Sequence, residues 1–495
     1  MSEPYVSIQL QHDHTLPLYR QLYFQLKQAI KSGILPPGQK LYSIRRLASE
    51  LGINTVTVVQ AYRCLERDGL AVAQVGRGTF VSNLTGLNEK ESPFSPNSVN
   101  NISRAAPDSW QVPVSPQAIN FATLTPAAEL FPVDDFQSII NQILARDRGQ
   151  AFGYQESQGY YPLRCSVAQY LAKRGIVCDA DSIQVISGAQ QGIDLIARSL
   201  LSAGDRVLTE SPTYTGALAS FRARGAQVIA IPLQEDGVDI DALQQQIKIH
   251  QPKLMYVMTN FQNPTGICYS VAKQQALVEI CHHAGVVLIE DDSFTELAYD
   301  GFERQAIKEW DKDNQIIYIK SFSKILMPGL RLAFMLAPQP LQPKLMAAKH
   351  IADISTSGLL QRAFDLYLRQ GLWISHLDYM KQCYLARYKQ IVQAMRTSLP
   401  PQAGFSSPGG GLCIWIEGHA GLSANRLYES CLKNGVIIAP GSHFFPDNRD
   451  SNFFRLSFAA LSEDAISQGI PIIARQLRML GTADHEPRRC FSPLL

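Results

Sequence analysis

The sequence predicts two folded domains, a small helical domain with a β-hairpin and a larger α/β domain with a mainly parallel sheet. A chain of 495 residues is too long for one hydrophobic core. Its first part contains three short amphipathic helical patterns, whereas a long later part alternates apolar strand-like runs with helical stretches. We therefore expect a domain at residues 13–83, a linker at 84–117, a second domain at 118–480 and a tail at 481–495.

Composition narrows the class of protein. The chain is 46% hydrophobic and 18% charged, as is usual for a globular protein that folds in water. Its N-terminus has no basic segment followed by an apolar one, and no apolar run reaches the roughly 18 residues that a membrane span needs. The nine cysteines stand singly, without a C-x-x-C pair. We expect a cytoplasmic protein with reduced thiols, no metal site and no membrane partner.

The small net charge of +2 conceals an uneven distribution. Residues 13–83 carry nine Lys or Arg against four Asp or Glu, a net charge of +5, which leaves −3 for the rest of the chain. A basic module attached to a slightly acidic body favours contact with nucleic acid. Charge alone does not decide the partner.

The basic module has the pattern of a helix-turn-helix followed by a hairpin. Apolar residues at helical spacing predict a helix over Tyr19–Lys31, and Ser43 and Asn54 are suitable N-caps for two further helices. Two strand-like runs within residues 70–81 flank a turn that carries Arg77. Two short helices joined by a tight turn, the second with a polar outer face, are typical of a DNA-binding module. A three-helix protein-interaction module is the alternative.

This stretch resembles the winged helix of the GntR superfamily of bacterial regulators. The matching segments are P-L-Y-R-Q-L, S-I-R-R-L-A, V-x-x-A-Y-x-x-L-x-x-D-G-L and G-R-G-T-F-V. The resemblance implies that double-stranded operator DNA is a partner, with phosphates bound at the start of the second helix and base edges read by the third. The residues implied to contact DNA are Ser43, Arg45, Thr55, Thr57, Gln60 and Arg77.

Two residues depart from the pattern of that superfamily. Tyr42 stands where a Pro usually precedes the Ser, and Thr55 stands where an Arg is usual early in the recognition helix. Losing that Arg removes a contact worth about 1–3 kcal/mol. We still expect DNA binding, with a shifted sequence preference.

The segment between the two domains has the composition of a tether. Fourteen of the 26 residues from Ser92 to Gln117 are Ser, Pro or Asn, and they show no hydrophobic period. A flexible linker over residues 84–117 would span about 30 Å root-mean-square.

In the larger domain, a lysine lies in a turn that suits a cofactor. Lys324 follows an apolar run that ends at Ile319, with Ser321 and Ser323 before it and Arg331 after it. A turn at the end of a buried strand can hold a cofactor, while hydroxyls and an Arg suit a phosphate. The set fits a lysine that carries pyridoxal 5′-phosphate (PLP) as an imine. Taken alone, S-x-x-K also occurs in surface turns.

Four upstream segments support this interpretation, although each has a simpler one. Ala189 and Gln190 open a helix whose backbone N–H groups could bind an anion or merely form a βα turn. Tyr214 could lie against a flat cofactor or belong to the core. Asn263, in N-P-T-G, could donate to a phenolic oxygen or sit in an ordinary turn. Asp291, the middle acid of E-D-D, could pair with a pyridinium nitrogen or help bind a hard cation.

In this order and spacing, the motifs resemble the fold-type I PLP enzymes of the aspartate aminotransferase class. Asn263 precedes Asp291 by 28 residues, Asp291 precedes Lys324 by 33, and Lys324 precedes Arg331 by 7. The resemblance implies PLP as the cofactor, a homodimer and the fold of that class.

The resemblance also implies a role for each residue. Lys324 would carry PLP, Asp291 would pair with the ring nitrogen, Asn263 would bond the ring oxygen and Tyr214 would stack on the ring. The phosphate would be held by Ala189, Gln190, Ser321 and Arg331. Tyr154 would reach the phosphate of the partner subunit, and Arg455 would bind the carboxylate of a substrate or effector.

One departure bears on activity. Enzymes of this class commonly have a Tyr three residues after the Asp on the ring nitrogen, whereas this chain has Phe294 there, with Ser293 beside it. Without that phenol, we expect exchange of the imine with an amine to survive and full transamination to be poor.

The order of the two modules and the linker resembles that of the MocR-type regulators within the GntR superfamily. That resemblance implies a DNA-binding transcriptional regulator whose aminotransferase-like domain senses PLP, a small amine or an amino acid. Two alternatives remain open from the sequence. One is a working aminotransferase that carries a winged helix, and the other is a constitutive DNA-binding dimer that only stores PLP.

Overall fold

The computed structural model describes residues 8, 10, 16–74, 77–82 and 118–483. The chain separates into two compact units, Met1–Asn101 and Ile102–Leu495, and the boundary falls within the predicted linker. The linker at 84–117 lies outside the described residues. The last helix continues to Ala483, three residues beyond the predicted boundary at 480, and the rest of the predicted tail lies outside the described residues.

The smaller unit has the helices and the hairpin that the sequence predicts. In its described residues the elements are α1 (Leu18–Lys31), α2 (Ile44–Leu51), α3 (Thr55–Arg67), β1 (Ala71–Gln74) and β2 (Gly78–Val81). The two strands pair in antiparallel register, with Val72 opposite Phe80.

Local hydrogen bonds explain where the second and third helices begin. The Ser43 side-chain oxygen accepts from the backbone N–H of Arg46 at 3.3 Å, and the Asn54 side chain accepts from the N–H of Val56 at 2.9 Å. Each satisfies an N–H group at a helix start that has no partner within the helix. Gly52 ends α2 in the left-handed conformation, with φ of 65°.

The apolar faces of these helices form one core. Its fully buried members include Leu22, Leu26, Leu35, Leu47, Val58 and Leu65. Because the inner face of α3 is used in this core, its outer face is left at the surface, where Thr55, Gln60 and Arg63 are exposed.

The larger unit is built on strands that alternate with helices along the chain. The described strands are β3 (Ile119–Asn120), β4 (Ile183–Ile186), β5 (Arg206–Ser211), β6 (Gln227–Gln234), β7 (Gly237–Val238), β8 (Leu254–Val257), β9 (Val287–Asp292), β10 (Ile316–Ser321), β11 (Ala333–Leu336), β12 (Gly404–Phe405), β13 (Cys413–Glu417), β14 (Val436–Ile437), β15 (Ala439–Pro440) and β16 (Phe453–Ser457).

The described helices of this unit are α4 (Val133–Asp147), α5 (Tyr161–Ala172), α6 (Ala189–Leu200), α7 (Thr215–Ala223), α8 (Ile240–His250), α9 (Val271–Ala284), α10 (Gln342–Asp353), α11 (Gly358–Arg369), α12 (Leu372–Ser398), α13 (Ala424–Lys433) and α14 (Glu463–Ala483).

An eight-stranded sheet in the described part of this unit has the order β4-β11-β10-β9-β8-β5-β6-β7. The pairs β10–β9, β9–β8, β8–β5 and β5–β6 are parallel, whereas β11 runs antiparallel to both β10 and β4. The mainly parallel α/β sheet that the sequence predicts is thereby confirmed. Strands β8, β9 and β10 are buried almost throughout, which agrees with their near-continuous apolar runs.

A smaller sheet lies later in the chain and has the order β12-β13-β16-β15. Strand β15 pairs with β16 so that Ala439 lies opposite Arg455. Strands β14 and β3 form a separate parallel pair. This pair joins the first described segment of the unit to the chain just before β15.

A buried ion network fixes one face of the large sheet. The Lys320 ammonium is 0% exposed and contacts the carboxylates of Asp292 at 3.0 Å and Glu296 at 2.5 Å. Arg174 lies 3.6 Å from Glu296, and the Tyr318 hydroxyl donates to Asp292 at 2.6 Å. Two carboxylates are therefore balanced by two cations, of which Lys320 is completely buried and Arg174 is 22% exposed.

Replacing Lys320 tests how strongly the fold depends on this network. The change Lys320→Met should lower the free energy of unfolding by about 3–5 kcal/mol, because it leaves two buried carboxylates with one cation. Urea unfolding followed by tryptophan fluorescence reports on the larger unit alone, since all four tryptophans lie beyond residue 101. The control Lys344→Met, at an exposed position on α10, should change stability by no more than about 0.5 kcal/mol. Equal effects of the two changes would contradict the prediction.

Candidate functional site

The predicted cofactor residues converge on one cavity of about 620 Å³ in the larger unit. Most of them come from the carboxyl ends of β4, β5, β8, β9 and β10, where ligands bind in open parallel sheets, whereas Arg331 precedes β11 and Arg455 lies on β16. The predicted residues that line it are Ala189, Gln190, Tyr214, Asn263, Asp291, Ser321, Ser323, Lys324, Arg331 and Arg455. Tyr154 does not line the cavity and is 85% exposed.

One end of the cavity has the donors that a phosphate needs. Helix α6 begins at Ala189, so its first backbone N–H groups face this end together with the positive end of the helix dipole. Arg331 reaches across to donate from Nη2 to the carbonyl oxygen of Ser187 at 2.7 Å. Gly188 permits this approach, because a Cβ there would lie 2.5 Å from the Arg331 guanidinium. The hydroxyls of Ser321 and Ser323 line the same cavity.

Lys324 lines the same cavity. It follows β10 in the predicted turn, and its backbone carbonyl accepts a hydrogen bond from the Tyr384 hydroxyl at 3.2 Å. That bond attaches the turn to α12. The position of Lys324 on a supported turn limits where its ammonium can reach within the cavity.

Asp291 is a buried carboxylate held from two sides. The Tyr256 hydroxyl donates to Oδ2 at 2.8 Å and the Ser293 hydroxyl donates to Oδ1 at 3.1 Å. Burial raises the pKa of Asp291, while these two hydrogen bonds and the charge of Lys324 oppose the rise. A buried carboxylate of this kind gains stability from a positively charged partner, which a pyridinium nitrogen would provide.

The two neighbouring acids, Glu290 and Asp292, lie on the other face of the strand. Side chains alternate along β9, so Glu290 and Asp292 point away from Asp291. Glu290 accepts from Thr259 at 2.7 Å and from the N–H groups of Ile307 and Lys308, while Asp292 belongs to the ion network. The three acids do not converge, which removes the physical basis for the alternative of a hard-cation site.

Tyr214 and Asn263 are each joined to another predicted residue. The Tyr214 hydroxyl donates to the side-chain oxygen of Gln190 at 3.1 Å, and the Gln190 amide nitrogen donates to Ser220 at 2.9 Å. Gln190 therefore contributes its backbone to the phosphate end while its side chain positions Tyr214. Arg455 donates from Nη1 to the Asn263 oxygen at 2.8 Å, which leaves the amide nitrogen of Asn263 as its donor group.

A buried carboxylate behind the cavity holds the turns that carry Tyr214 and Asn263. Gln262 donates to Glu210 at 3.0 Å and to the carbonyl of Pro212 at 2.8 Å, and Glu210 also accepts from the Tyr269 hydroxyl at 2.8 Å. Burial raises the pKa of Glu210 to about 7, against these hydrogen bonds. This link could not be predicted from the sequence, because an acid at a strand end has no distinctive pattern.

The phenol that is common in aminotransferases is absent from its expected place. Phe294 lines the cavity and is 1% exposed, and its ring offers no hydrogen bond. The Ser293 hydroxyl is directed to Asp291 at 3.1 Å. The departure noted in the sequence therefore remains in the folded site.

Several cavity residues were not predicted. Tyr256 lies inside an apolar strand, and its sequence position gives no sign that its hydroxyl reaches Asp291. Another part of the cavity wall includes Thr123, Leu124, Tyr428, Ile438, His443 and Phe444. These residues come from separate elements, so no local motif marks them.

In the smaller unit, the predicted DNA-contacting residues lie at the surface. Arg45, Thr55, Gln60 and Arg77 are exposed and Thr57 is partly exposed. Ser43 is exposed and also caps α2.

Tyr42, the first departure from the superfamily pattern, has its own structural role. Its ring lies 3.9 Å from the Arg46 guanidinium, and its carbonyl accepts from the Tyr62 hydroxyl at 2.7 Å. Arg46 also forms an ion pair with Glu50 at 3.1 Å. Arg46 is thereby held against α2, while Arg45 beside it points to solvent.

None of the helices that the structure describes combines the length and the apolar composition required to cross a bilayer.

Comparison with protein families agrees with both units. Residues 125–473 match the model of aminotransferase class I and II, and residues 18–81 match that of the bacterial regulatory proteins of the gntR family. The chain belongs to the aminotransferase class I and II family and carries an N-terminal domain of the GntR family. The predicted combination of a DNA-binding domain with a fold-type I PLP domain is thereby confirmed.

Individual relatives fall into two groups. The 2-aminoadipate transaminase of Thermus thermophilus is 34% identical over 370 residues, which are 74% of this chain and 91% of that protein. The "Probable rhizopine catabolism regulatory protein MocR" of Rhizobium meliloti is 26% identical and aligns over 93% of this chain and 94% of its own length.

A solved structure shows the same arrangement as the larger unit. It is the α-aminoadipate aminotransferase LysN of Thermus thermophilus, complexed with N-(5′-phosphopyridoxyl)-L-leucine. The TM-score is 0.71 at 32% identity, over 74% of this chain and 94% of that one.

PLP is the cofactor of this family, and the residues of the cavity fit it. The guanidinium of Arg331, which lies close to Gly188 at the start of α6, would suit the phosphate, and the buried carboxylate of Asp291 would suit a protonated ring nitrogen. Bound PLP supplies a carbonyl group that reacts reversibly with amines and a ring that withdraws electrons.

Removing the Tyr256 hydroxyl tests whether it supports the carboxylate on the cofactor side. Tyr256→Phe should weaken PLP binding about tenfold, because Asp291 loses a hydrogen bond and its pKa rises further. The dissociation constant can be measured by titrating PLP into the cofactor-free protein. The control Tyr318→Phe removes a hydroxyl that donates to Asp292 on the other face, and it should leave PLP affinity unchanged. Similar losses in both variants would contradict the prediction.

The raised pKa of Glu210 predicts how the free energy of unfolding depends on pH. A carboxyl whose folded pKa is about 7, above its ordinary 4.5, contributes stability that is present below pH 4.5 and lost as the pH rises to about 7. Glu210→Gln should therefore reduce the fall in the free energy of unfolding across that pH range. Glu303→Gln, at an exposed position, is the control and should keep the wild-type slope. An unchanged slope in Glu210→Gln would show that Glu210 does not titrate there.

Proposed function

We propose that this protein is a transcriptional regulator that binds operator DNA through its smaller unit and senses an amine or amino acid through PLP in its larger unit. The observation that carries the proposal is the presence, in one chain, of an exposed recognition helix and a cavity lined by all the predicted cofactor residues but Tyr154. The transaminase relative aligns with only 74% of the chain, whereas the relative named as a regulatory protein aligns with 93%.

The cavity has a residue for the carboxylate and a residue for the amine of a small ligand. Arg455 would bind a carboxylate through its guanidinium, which is oriented by Asn263 and by the carbonyl of Ala122. Lys324 would be the amine bound to PLP until the amine of a ligand replaces the lysine. Such a ligand can regulate DNA binding only if it binds one conformation of the protein more tightly than another.

Phe294 is the feature that favours sensing over turnover. A hydroxyl at that position would bond the ring oxygen of PLP, and the phenylalanine ring does not. The remaining residues can bind an amine and orient it. A slow or incomplete reaction suits a sensor, because the ligand then stays in the cavity.

A homodimer completes the proposal. Tyr154 and Phe152 are 85% and 68% exposed, and neither lines the cavity of its own subunit. Large exposed side chains close together often mark an interface. We place Tyr154 at the phosphate of the partner subunit, so that a dimer carries two PLP sites and two DNA-binding units.

The second candidate function is aminotransfer. The specific observation in its favour is that the cavity contains the lysine, the aspartate, both arginines and the asparagine that the resemblance to the enzymes requires. Under this alternative the smaller unit would control expression of the enzyme itself.

Two variants separate the two binding activities. Arg45→Ala should weaken binding to a duplex selected from a random-sequence pool by about tenfold, because one DNA contact is worth about 1–3 kcal/mol. It should leave the absorbance of bound PLP unchanged. Lys324→Ala should remove the absorbance band of lysine-bound PLP and keep the DNA affinity of the cofactor-free protein. Arg67→Ala, at the C-terminal end of α3 and away from the predicted DNA contacts at its start, is the control for the first variant.

The response to ligands decides between the candidates. In the PLP-loaded wild type, DNA affinity should change when at least one member of an amino-acid and amine panel is added, and it should not change in Lys324→Ala. Turnover with an amino acid and a 2-oxo acid should remain below ~1 per second. Faster turnover, together with a DNA affinity that no ligand changes, would favour the aminotransferase. If no ligand changes the DNA affinity and no turnover is detected, the result would favour a constitutive DNA-binding dimer.

A further inference from the structure

Beyond its predicted residues, the cavity has a wall that no part of the cofactor assignment uses. We name it the distal wall, and it consists of Leu124, Tyr428, Ile438 and Phe444, with Thr123 and His443 beside them. Leu124 and Phe444 expose 8% and 3% of their surface, whereas Ile438 exposes none and can only support the wall. From this wall we infer that the ligand is an α-amino acid with an uncharged, mainly apolar side chain, an inference that rests on the proposed sensing function.

The position of the wall places it next to the ligand carboxylate. Ala439 pairs with Arg455 in the small sheet, so Ile438 lies one residue from the strand position opposite the arginine. The Phe444 ring lies 4.9 Å from the Arg455 guanidinium. A ligand held by Arg455 at its carboxylate and directed to Lys324 at its amine would therefore have the distal wall beside its side chain.

The wall is held rigidly by its neighbours. The Phe444 ring meets Trp415 edge to face with centroids 5.7 Å apart, and its carbonyl accepts from the N–H of Thr213 at 2.9 Å. Ile438 is 0% exposed between two strands. A wall with this support offers a preformed apolar surface, which favours an apolar group without prior rearrangement.

The charges of the cavity are consistent with a neutral side chain. Among the described lining residues, the Lys, Arg, Asp and Glu side chains are Asp291, Lys324, Arg331 and Arg455. Each already has a role, with the ring nitrogen, the amine, the phosphate or the α-carboxylate. A second carboxylate or ammonium on the ligand would lose its hydration against the distal wall without gaining an opposite charge from a Lys, Arg, Asp or Glu side chain of that wall. Tyr428 and His443 can still bond to a neutral polar atom.

Three amino acids of equal chain length test the inference on the PLP-loaded, full-length protein. Norleucine, 2-aminoadipate and lysine share a six-carbon skeleton and end in a methyl, a carboxylate and an ammonium group. Each is titrated while the absorbance of the bound cofactor is followed. Norleucine should reach half-saturation at a concentration about tenfold lower than either of the others, because a charged end is not compensated at the wall.

A variant of the wall should change the order of the ligands. Tyr428→Lys adds a cation to the distal wall and should bring the half-saturation concentration of 2-aminoadipate below that of norleucine. The control Tyr379→Lys makes the same substitution at an exposed tyrosine of α12 that does not line the cavity, and it should keep the wild-type order.

The outcomes separate this inference from the proposed function. Equal or tighter binding of 2-aminoadipate or lysine in the wild type would overturn the inference and leave amino-acid sensing intact. No spectral response to any of the three, or to the wider panel, would overturn the sensing function and this inference with it. Preference for norleucine that Tyr428→Lys does not alter would show that the distal wall is not the surface that selects the ligand.

Discussion

The site depends on one constraint, the burial of Asp291 at the end of a central strand. A buried carboxylate is costly unless it has hydrogen bonds and a positive partner, and here Tyr256 and Ser293 supply only the hydrogen bonds. Strand alternation then directs the next residue, Asp292, to the opposite face, where Lys320 balances it at 3.0 Å. One strand thus carries a charge balanced by the protein on one face and a charge balanced by a cofactor on the other.

This arrangement would couple cofactor binding to the stability of the fold. Burial alone would raise the pKa of Asp292, but the charges of Lys320 and Arg174 hold it below its ordinary value. For Asp291 burial prevails, and its pKa stays raised. A positive ring nitrogen would relieve that cost, so the binding of PLP contributes to the stability of the larger unit as well as to its chemistry.

Much of this molecule could be predicted from its sequence because most of the candidate cofactor-binding residues lie at the ends of strands. Lys324, Asp291 and Asn263 each follow an apolar run, and their order alone indicated one cavity. The distal wall and Tyr256 could not be predicted in this way. Tyr428 lies on α13 and Phe444 follows β15, so they reach the cavity only through the packing of elements that are distant in sequence from its other residues. Tyr256 looks like an ordinary core residue until its hydroxyl is located. The identity of a ligand side chain depends on contacts of this long-range kind.

The hydrogen bond between Arg455 and Asn263 would give the cavity the means to sense a ligand under the proposed function. Arg455 belongs to β16 of the small sheet, whereas Asn263 follows β8 of the large sheet, and a bond of 2.8 Å connects them. The residue proposed to bind the ligand carboxylate therefore already touches the residue proposed to bond the ring oxygen of PLP. A carboxylate on Arg455 would compete for its donors and alter the bond to Asn263. Ligand and cofactor would then change the same contact between the two sheets, which is a physical requirement for one to report on the other.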